Sequence, residues 1–181
     1  TKFSPLMKGG HQEKGRRGGT ENVPYILGLG KAAELAMANM EEENTRVVAL
    51  RDRMEKGLVE SIPSTIVNGE GMSRLPNTSS VCFEYVEGES ILMMLDEIGV
   101  CASSGSACTS GSLEPSHVLR AMGVPFTAAH GSIRLTLSIY NKEEEVDHLL
   151  KHMPPIIENL RDISPFWKDF KEGKTPAAFA G

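Results

Sequence analysis

The stretch SIRLTLS, residues 132–138, alternates apolar and polar side chains. Its second, fourth and sixth residues are Ile or Leu, and each is followed by a polar residue: Arg134, Thr136 and Ser138. This period of two is typical of a β-strand with one buried face. The stretch therefore predicts a strand that presents Arg134 on its polar face.

Three more segments indicate short strands, and helical patterns separate them. Because strands interleaved with helices are typical of an α/β domain, we expect such a domain over about residues 45–164. Pro154-Pro155 is expected to kink or break its last helix. The further strands are predicted at residues 65–67, 79–85 and 100–103, and the helices at 89–97, 116–122 and from 142 onward.

A glycine-rich basic loop, residues 8–20, precedes a long helical pattern. Thr20 to Pro24 has the polar caps and first-turn proline of a helix start. The helix is expected to run to about Ile62, with a kink or break near residues 41–44. Thr20, ahead of a helix N-terminus, could hold a phosphate, although many surface loops share this composition.

The composition excludes several classes of function. The 181 residues carry a net charge of −5, so no nucleic acid and no membrane surface is expected as a partner. No apolar run approaches the roughly 20 residues of a transmembrane helix, and a signal-peptide core is missing from the first residues. The cysteines show no C-x-x-C pair, which argues against a disulfide framework or a zinc site. We therefore expect a cytoplasmic protein and, since the chain starts at Thr1, a piece of a longer one.

The segment SSGSACTSGSLEPS, residues 103–116, places a thiol in a loop that can bury almost nothing. Cys82 and Cys101 lie in predicted strands and are expected to be core residues. Cys108 instead has small or polar neighbours on both sides. It is either part of an unremarkable flexible loop or a nucleophile on a mobile carrier.

Arg134 also admits two interpretations. It is either a solvent-exposed arginine or a bidentate clamp for a carboxylate, which the guanidinium fork suits. The isolated histidines His11, His117 and His130 are more readily explained as hydrogen-bonded structural residues than as acid–base catalysts.

Four motifs carry these features in order: GGHQEKGRRGGTEN (9–22), RLPNTSSVCFEYVEGE (74–89), SSGSACTSGSLEPSHVLRAMGV (103–124) and HGSIRLTLS (130–138). Together they resemble the pyridoxal-phosphate-dependent cysteine desulfurases of aminotransferase class V, over about residues 1–163. The SSGSACTSG signature is highly specific. The GSLEPSH and GTEN segments are more similar to the nitrogen-fixation branch of that family than to its housekeeping branch.

The resemblance implies a fold and a domain organisation. The chain would comprise the C-terminal small α/β domain of a pyridoxal-phosphate-dependent transferase of the aspartate-aminotransferase-like superfamily, a long connecting helix and a remnant of the large domain. Residues 1–44 would be that remnant, residues 45–164 the small domain with the mobile cysteine loop 103–116, and residues 165–181 a flexible tail.

The resemblance also implies roles for three residues. Cys108 would be the nucleophile that takes sulfur from the substrate and holds it as a persulfide, and it could help hold a transient iron–sulfur cluster with a scaffold partner. Arg134, in the Ser-Ile-Arg motif, would bind the substrate carboxylate. Thr20, in the Arg-x-Gly-Thr motif, would reach the cofactor phosphate of the other subunit of a homodimer.

The implied reaction converts L-cysteine to L-alanine and leaves a persulfide for iron–sulfur cluster assembly, with nitrogenase maturation as the expected destination. The cofactor would be pyridoxal 5'-phosphate, and the sulfur acceptor an iron–sulfur scaffold protein. However, the family's cofactor lysine stands in a Ser-x-His-Lys motif that this sequence lacks. The chain alone is therefore expected to be inactive.

Two other classes of function stay open at this point. The chain could be a non-enzymatic sulfur-acceptor or scaffold-docking domain in which Cys108 receives sulfur from elsewhere. It could also be a cysteine hydrolase that pairs Cys108 with His117 or His130, although a mobile loop disfavours the fixed pair that this chemistry needs.

Residues 1–44, the remnant of the large domain, carry apolar residues, such as Ile26, Leu27 and Leu29, that need cover. If these residues are left uncovered, we expect self-association through the long helix or a poorly ordered N-terminus.

Overall fold

The computed structural model describes residues 3–104 and 115–174. The chain forms two compact units, Thr1–Met40 and Glu41–Gly181. Among the described residues, no helix has both the length and the hydrophobicity to cross a bilayer.

The first unit contains a short turn of helix, α1 (Gln12–Gly15), and one long helix, α2 (Val23–Ala38). As the sequence predicts, α2 begins at a polar cap, because the Asn22 side chain accepts a hydrogen bond from the Tyr25 amide at 3.3 Å and Pro24 occupies the first turn. No residue of α2 is buried, although most of its side chains are apolar. This unit therefore presents its apolar helix to its surroundings.

The predicted helix break lies between Asn39 and Val47. Asn39 ends α2, a short α3 (Met40–Glu42) follows, and a π-helical turn spans Glu43–Val47 before α4 (Val48–Ser61). Arg46 in this turn donates hydrogen bonds to the carbonyl oxygens of Ile139 at 2.5 Å and Asn141 at 2.7 Å. The turn is thereby tied to the loop that follows the last strand.

The second unit contains an antiparallel sheet, which has four strands within the described ranges. Their spatial order is β1, β2, β4, β3. The strands are β1 (Thr65–Val67), β2 (Thr78–Phe83), β3 (Ser103–Ser104) and β4 (Ser132–Thr136). The strand predicted from SIRLTLS is thus confirmed as β4, and it lies inside the sheet rather than at its edge.

Helices α4, α5 (Gly88–Glu97) and α8 (Glu143–Ile163) pack together and against the sheet. The core between them takes every second residue of the two central strands, including Val81, Phe83, Ile133 and Leu135. Alternation along a strand sends the residues between these to the opposite face. Most of the hydrophobic burial that stabilises this unit therefore lies on one side of the sheet.

The opposite face has a smaller apolar cluster, formed by Cys82 with Leu119 of α6 (His117–Ala121) and Ala128 and Ala129 of α7 (Phe126–Ala129). Cys82 is fully buried, so its predicted core position is confirmed. Cys101 is exposed, and the prediction that it belongs to the core is wrong. The reason is that β3 begins only at Ser103, so Cys101 precedes the ladder instead of lying in it.

Helix α8 continues through Pro154 and Pro155, so the prolines do not break it. Its apolar face, which includes Val146, Met153 and Ile157, is buried against the core. Because proline's φ is compatible with a helix, this packing can offset the missing backbone hydrogen bonds. A last helix, α9 (Pro165–Lys171), follows it.

Candidate active site

Arg134 is the third residue of β4 and pairs with Ser80 of β2 on one side and Ser103 of β3 on the other. Directly opposed residues of antiparallel strands point to the same face. The three side chains therefore share the sheet face that is opposite α4, α5 and α8. Arg134 is exposed, and no ion pair or hydrogen bond joins its guanidinium to any residue within the described ranges. As far as the described residues are concerned, its charge is therefore available to an anionic ligand.

Cys108 lies outside the described residues, but the segments on both sides of it are placed. Ser104 pairs with Ile133, the residue next to Arg134. On the other side, Pro115 and Ser116 are buried, and Ser116 precedes α6. The strand that enters the cysteine segment is thus hydrogen-bonded to the strand that carries Arg134.

Two glycines that sequence reasoning missed hold this region together. A Cβ added to Gly131 would lie 2.1 Å from the Phe83 carbonyl oxygen, which is impossible without a backbone shift. A Cβ on Gly88 would lie 3.1 Å from the His130 carbonyl oxygen and 3.6 Å from the Ser104 Cβ. Their only signal in the sequence is that each stands inside a motif that carries the resemblance.

Thr20 belongs to the first unit, and it follows a closed loop. The Gly18 amide donates to the Met7 carbonyl oxygen at 2.8 Å, and a Cβ on Gly18 would lie 3.0 Å from the Gly9 amide nitrogen. Thr20 itself is exposed, and its hydroxyl has no hydrogen-bond partner in the part of the chain that the structure describes. An exposed hydroxyl three residues before α2 fits a phosphate oxygen. Thr20 and Arg134 belong to different units of the chain.

The three histidines considered in the sequence analysis differ in exposure. His130 is half-buried, with its ring edge-on to Phe126 at a centroid distance of 4.5 Å and its Nδ1 3.9 Å from the Glu87 carboxylate. His11 and His117 are exposed. Since Cys108 lies outside the described residues, the Cys–His pair of a hydrolase stays a prediction.

Among the described residues, no three His, Cys, Asp or Glu side chains come close enough to hold a metal ion. Cys108, the predicted metal contact, falls outside that set. Cys82 is a poor candidate for thiolate chemistry, because burial raises the pKa of its thiol despite a hydrogen bond from the Asn68 side chain at 3.1 Å.

The sequence model of the aminotransferase class-V family matches residues 3–149. Cysteine desulfurase NifS from Azotobacter vinelandii is 58% identical over 92% of this chain and 42% of its own length. A cysteine desulfurase from Gluconacetobacter diazotrophicus is 61% identical over the same shares, 92% and 42%. The chain thus spans about 42% of the length of these curated relatives.

Comparison with solved structures agrees with the sequence comparisons. A NifS-like protein from Rickettsia africae superimposes with a TM-score of 0.75 at 32% identity, over 87% of this chain and 41% of that protein. The cysteine desulfurase CsdA from Escherichia coli, at 21% identity and a TM-score of 0.60 over 78% of this chain and 32% of its own, shares the fold. The α/β fold expected from the resemblance is confirmed.

Proposed function

The chain belongs to the class-V aminotransferase family, and from that premise we propose that it forms part of a cysteine desulfurase that converts L-cysteine to L-alanine and an enzyme persulfide. The observation that carries the proposal is the pairing of β3 with β4. It links the strand that leads into the Cys108 segment to the strand that carries Arg134, whose charge has no partner among the described residues. A substrate with both a carboxylate and a thiol suits this pairing.

The cofactor of this family is pyridoxal 5'-phosphate, which when bound supplies an electron sink for negative charge at the substrate Cα. Of the residues in this chain, Thr20 fits it through an exposed hydroxyl before α2. The Ser-x-His-Lys motif for its lysine is missing from the sequence. The residues present thus fit the phosphate alone, and we propose that the chain by itself is inactive.

Arg134 would bind the substrate carboxylate with two parallel hydrogen bonds and so orient the substrate. Cys108 follows Ser104 by four residues, which fully extended span at most about 14 Å. Its thiolate would attack the substrate sulfur: a new S–S bond forms, the substrate C–S bond breaks and the carbon takes up a proton. Alanine leaves, and Cys108 keeps the sulfur as a persulfide.

The remaining proposals concern the destination of the sulfur. We propose that a homodimer in the cytoplasm delivers it to an iron–sulfur scaffold protein for nitrogenase maturation, with Cys108 in transient contact with the iron–sulfur cluster. The name of the Azotobacter vinelandii relative supports this branch. The second candidate is a sulfur-acceptor or scaffold-docking domain without catalysis, which the missing lysine motif favours.

The test is intact-mass spectrometry and peptide mapping of the full-length parent protein after incubation with L-cysteine and pyridoxal phosphate. One additional sulfur on the Cys108 peptide, with alanine released, is expected. The matched control is Cys101→Ala, which removes an exposed thiol of the described residues and should leave the persulfide in place. Alanine production by Cys108→Ala at the wild-type rate would refute the proposal. A persulfide on Cys108 without alanine would favour the acceptor domain.

A further inference from the structure

A groove of about 360 Å³ lies beside the β2–α5 connection, α7 and the α8–α9 junction. We call it the Glu87 groove. Its walls include the rings of Tyr85, Phe126 and Phe166, and Glu87, His130 and Ile163 also line it. It lies at the small end of the range for ligand sites, about 300–1,000 Å³, so it suits one long side chain better than a cofactor.

The groove combines aromatic walls with one acidic group. The Glu87 side chain is 69% exposed, and its one ionic neighbour among the described residues is His130, at 3.9 Å. The face of an aromatic ring attracts cations, and a nearby carboxylate adds to that attraction. A cation with an apolar stem therefore matches both parts of the lining.

The chain itself uses this chemistry beside the groove. Tyr85 stacks on Phe170 with ring centroids 4.9 Å apart, and both rings lie next to Trp167. The Arg161 guanidinium lies 4.3 Å from the Trp167 ring centroid, and the Lys171 ammonium lies 5.4 Å from it. Cations of the chain thus already pack on the aromatic cluster that borders the groove.

The groove also lies next to both ends of the Cys108 segment. Glu87 precedes Gly88, and a Cβ on Gly88 would lie 3.6 Å from the Cβ of Ser104, the last placed residue before that segment. On the far side, α6 follows the segment and packs on α7, which contributes Phe126 to the groove. A protein bound here would be close to the sulfur carrier.

We infer that the Glu87 groove docks an arginine or lysine side chain of the protein that receives sulfur from Cys108. The inference rests on the proposed function for the identity of that partner as a sulfur acceptor. The ring faces bind the stem and the cationic head, Glu87 pairs with the charge, and the acceptor thiol is brought to the persulfide.

The experiment measures binding of the purified iron–sulfur scaffold protein of the same organism to the full-length parent protein by isothermal titration calorimetry. Glu87→Gln should weaken binding about fivefold, the value of an exposed ion pair. Glu87→Lys should weaken it by more than about tenfold, because it places like charges together. Phe126→Leu, which keeps an apolar wall but removes a ring, should cost about threefold.

Glu89→Lys is the matched control, because it makes the same charge change two residues away, at an exposed position that does not line the groove. It should bind the scaffold as the wild type does. Alanine production with dithiothreitol as acceptor is measured in parallel and should be unchanged in the Glu87 variants.

Wild-type affinity in Glu87→Lys, with alanine production intact, would overturn the inference and leave the proposed function standing. Equal losses in Glu87→Lys and Glu89→Lys would also overturn it, since they would report net charge alone. A loss in Phe126→Leu without one in Glu87→Gln would indicate an apolar anchor rather than a cation. Absence of alanine in the wild type would instead refute the proposed function.

Discussion

Arg134 illustrates what one position in a strand can and cannot reveal. The alternation of SIRLTLS predicts that its side chain lies on the polar face, and the structure confirms an exposed residue in β4. The sequence leaves open whether a carboxylate of the chain itself pairs with it. Whether a partner exists depends on which groups the fold brings near the guanidinium. Because Arg134 has no partner among the described residues, a ligand carboxylate is the better interpretation.

Gly131 is the residue at which a single added methyl group should matter most. In Gly131→Ala the new Cβ would lie 2.1 Å from the Phe83 carbonyl oxygen, so the β2–β4 frame must move. We expect the free energy of unfolding to fall by about 3 kcal/mol, measured by urea denaturation.

Gly28→Ala is the control for that substitution. Gly28 is in α2 with no atom near the position of an added Cβ, so alanine should be neutral or stabilising by about 1 kcal/mol. Equal stabilities of the two variants would contradict the close approach at Gly131.

Glu55 should give the second unit part of its pH dependence. Burial tends to raise the pKa of its carboxyl, but two hydrogen bonds from Arg74, at 2.8 and 2.9 Å, and the charges of Arg74 and Arg51 lower the pKa overall, below the ordinary 4.5. Because the pKa of this carboxyl is lower in the folded than in the unfolded state, its ionised form stabilises the folded state at any pH above the unfolded-state pKa. This contribution is lost as the pH falls through the folded-state pKa.

Glu55→Gln should therefore reduce the free energy of unfolding at neutral pH by about 2 kcal/mol. It should also flatten the acid side of the stability curve below about pH 5. Urea denaturation across this range measures both effects. The control is Glu60→Gln, because Glu60 pairs with Lys56 on the exposed surface. It should change the free energy of unfolding little. A wild-type acid slope in Glu55→Gln would assign the pH dependence to other groups.

At the scale of elements, periodicity predicts where strands and helices exist but not where they end. The sequence predicts β2 over residues 79–85, whereas the strand ends at Phe83, because Tyr85 adopts a positive φ of 66°. Likewise β3 (Ser103–Ser104) shares only Ser103 with the predicted strand 100–103, since pairing with β4 begins at Ser103. These limits depend on partner strands and on glycine contacts, which a local pattern does not contain.

Helix α8 also shows packing overriding a local rule, and this can be measured. Pro155 is exposed, so Pro155→Ala should restore a backbone hydrogen bond with little loss of contact. Removing an interior proline should stabilise the helix by about 3 kcal/mol. Up to about 1 kcal/mol of this gain is lost, because alanine gives the unfolded chain more conformational entropy than proline does. We expect a net stabilisation of about 2 kcal/mol and a higher Tm in calorimetry.

Pro165→Ala is the control for Pro155→Ala. Pro165 stands in the first turn of α9, where proline is well tolerated, so its replacement should not stabilise the protein. A Tm for Pro155→Ala at or below that of the wild type would show that α8 accommodates its prolines without cost.

At the scale of the whole molecule, the family match over residues 3–149 includes residues of both compact units. The sequence could predict this, because its motifs lie in order on both sides of Met40. The sequence also indicates that apolar residues of the first unit need cover, and α2 indeed has no buried residue. It could not predict which apolar faces of the second unit pack together, because that depends on contacts between residues far apart in the chain.

The last prediction concerns that uncovered helix. Leu27 and Leu29 of α2 are 69% and 73% exposed, and a large exposed apolar patch is typical of a protein–protein interface. We expect the purified chain to self-associate through α2, with a sedimentation coefficient that rises with concentration in analytical ultracentrifugation. The double variant Leu27→Lys, Leu29→Lys should remain monomeric at concentrations where the wild type associates. Met93→Lys, at an equally exposed position of α5 (72%), should still associate. A wild-type chain that stays monomeric at every concentration, or equal behaviour of both variants, would show that α2 does not hold copies of the chain together.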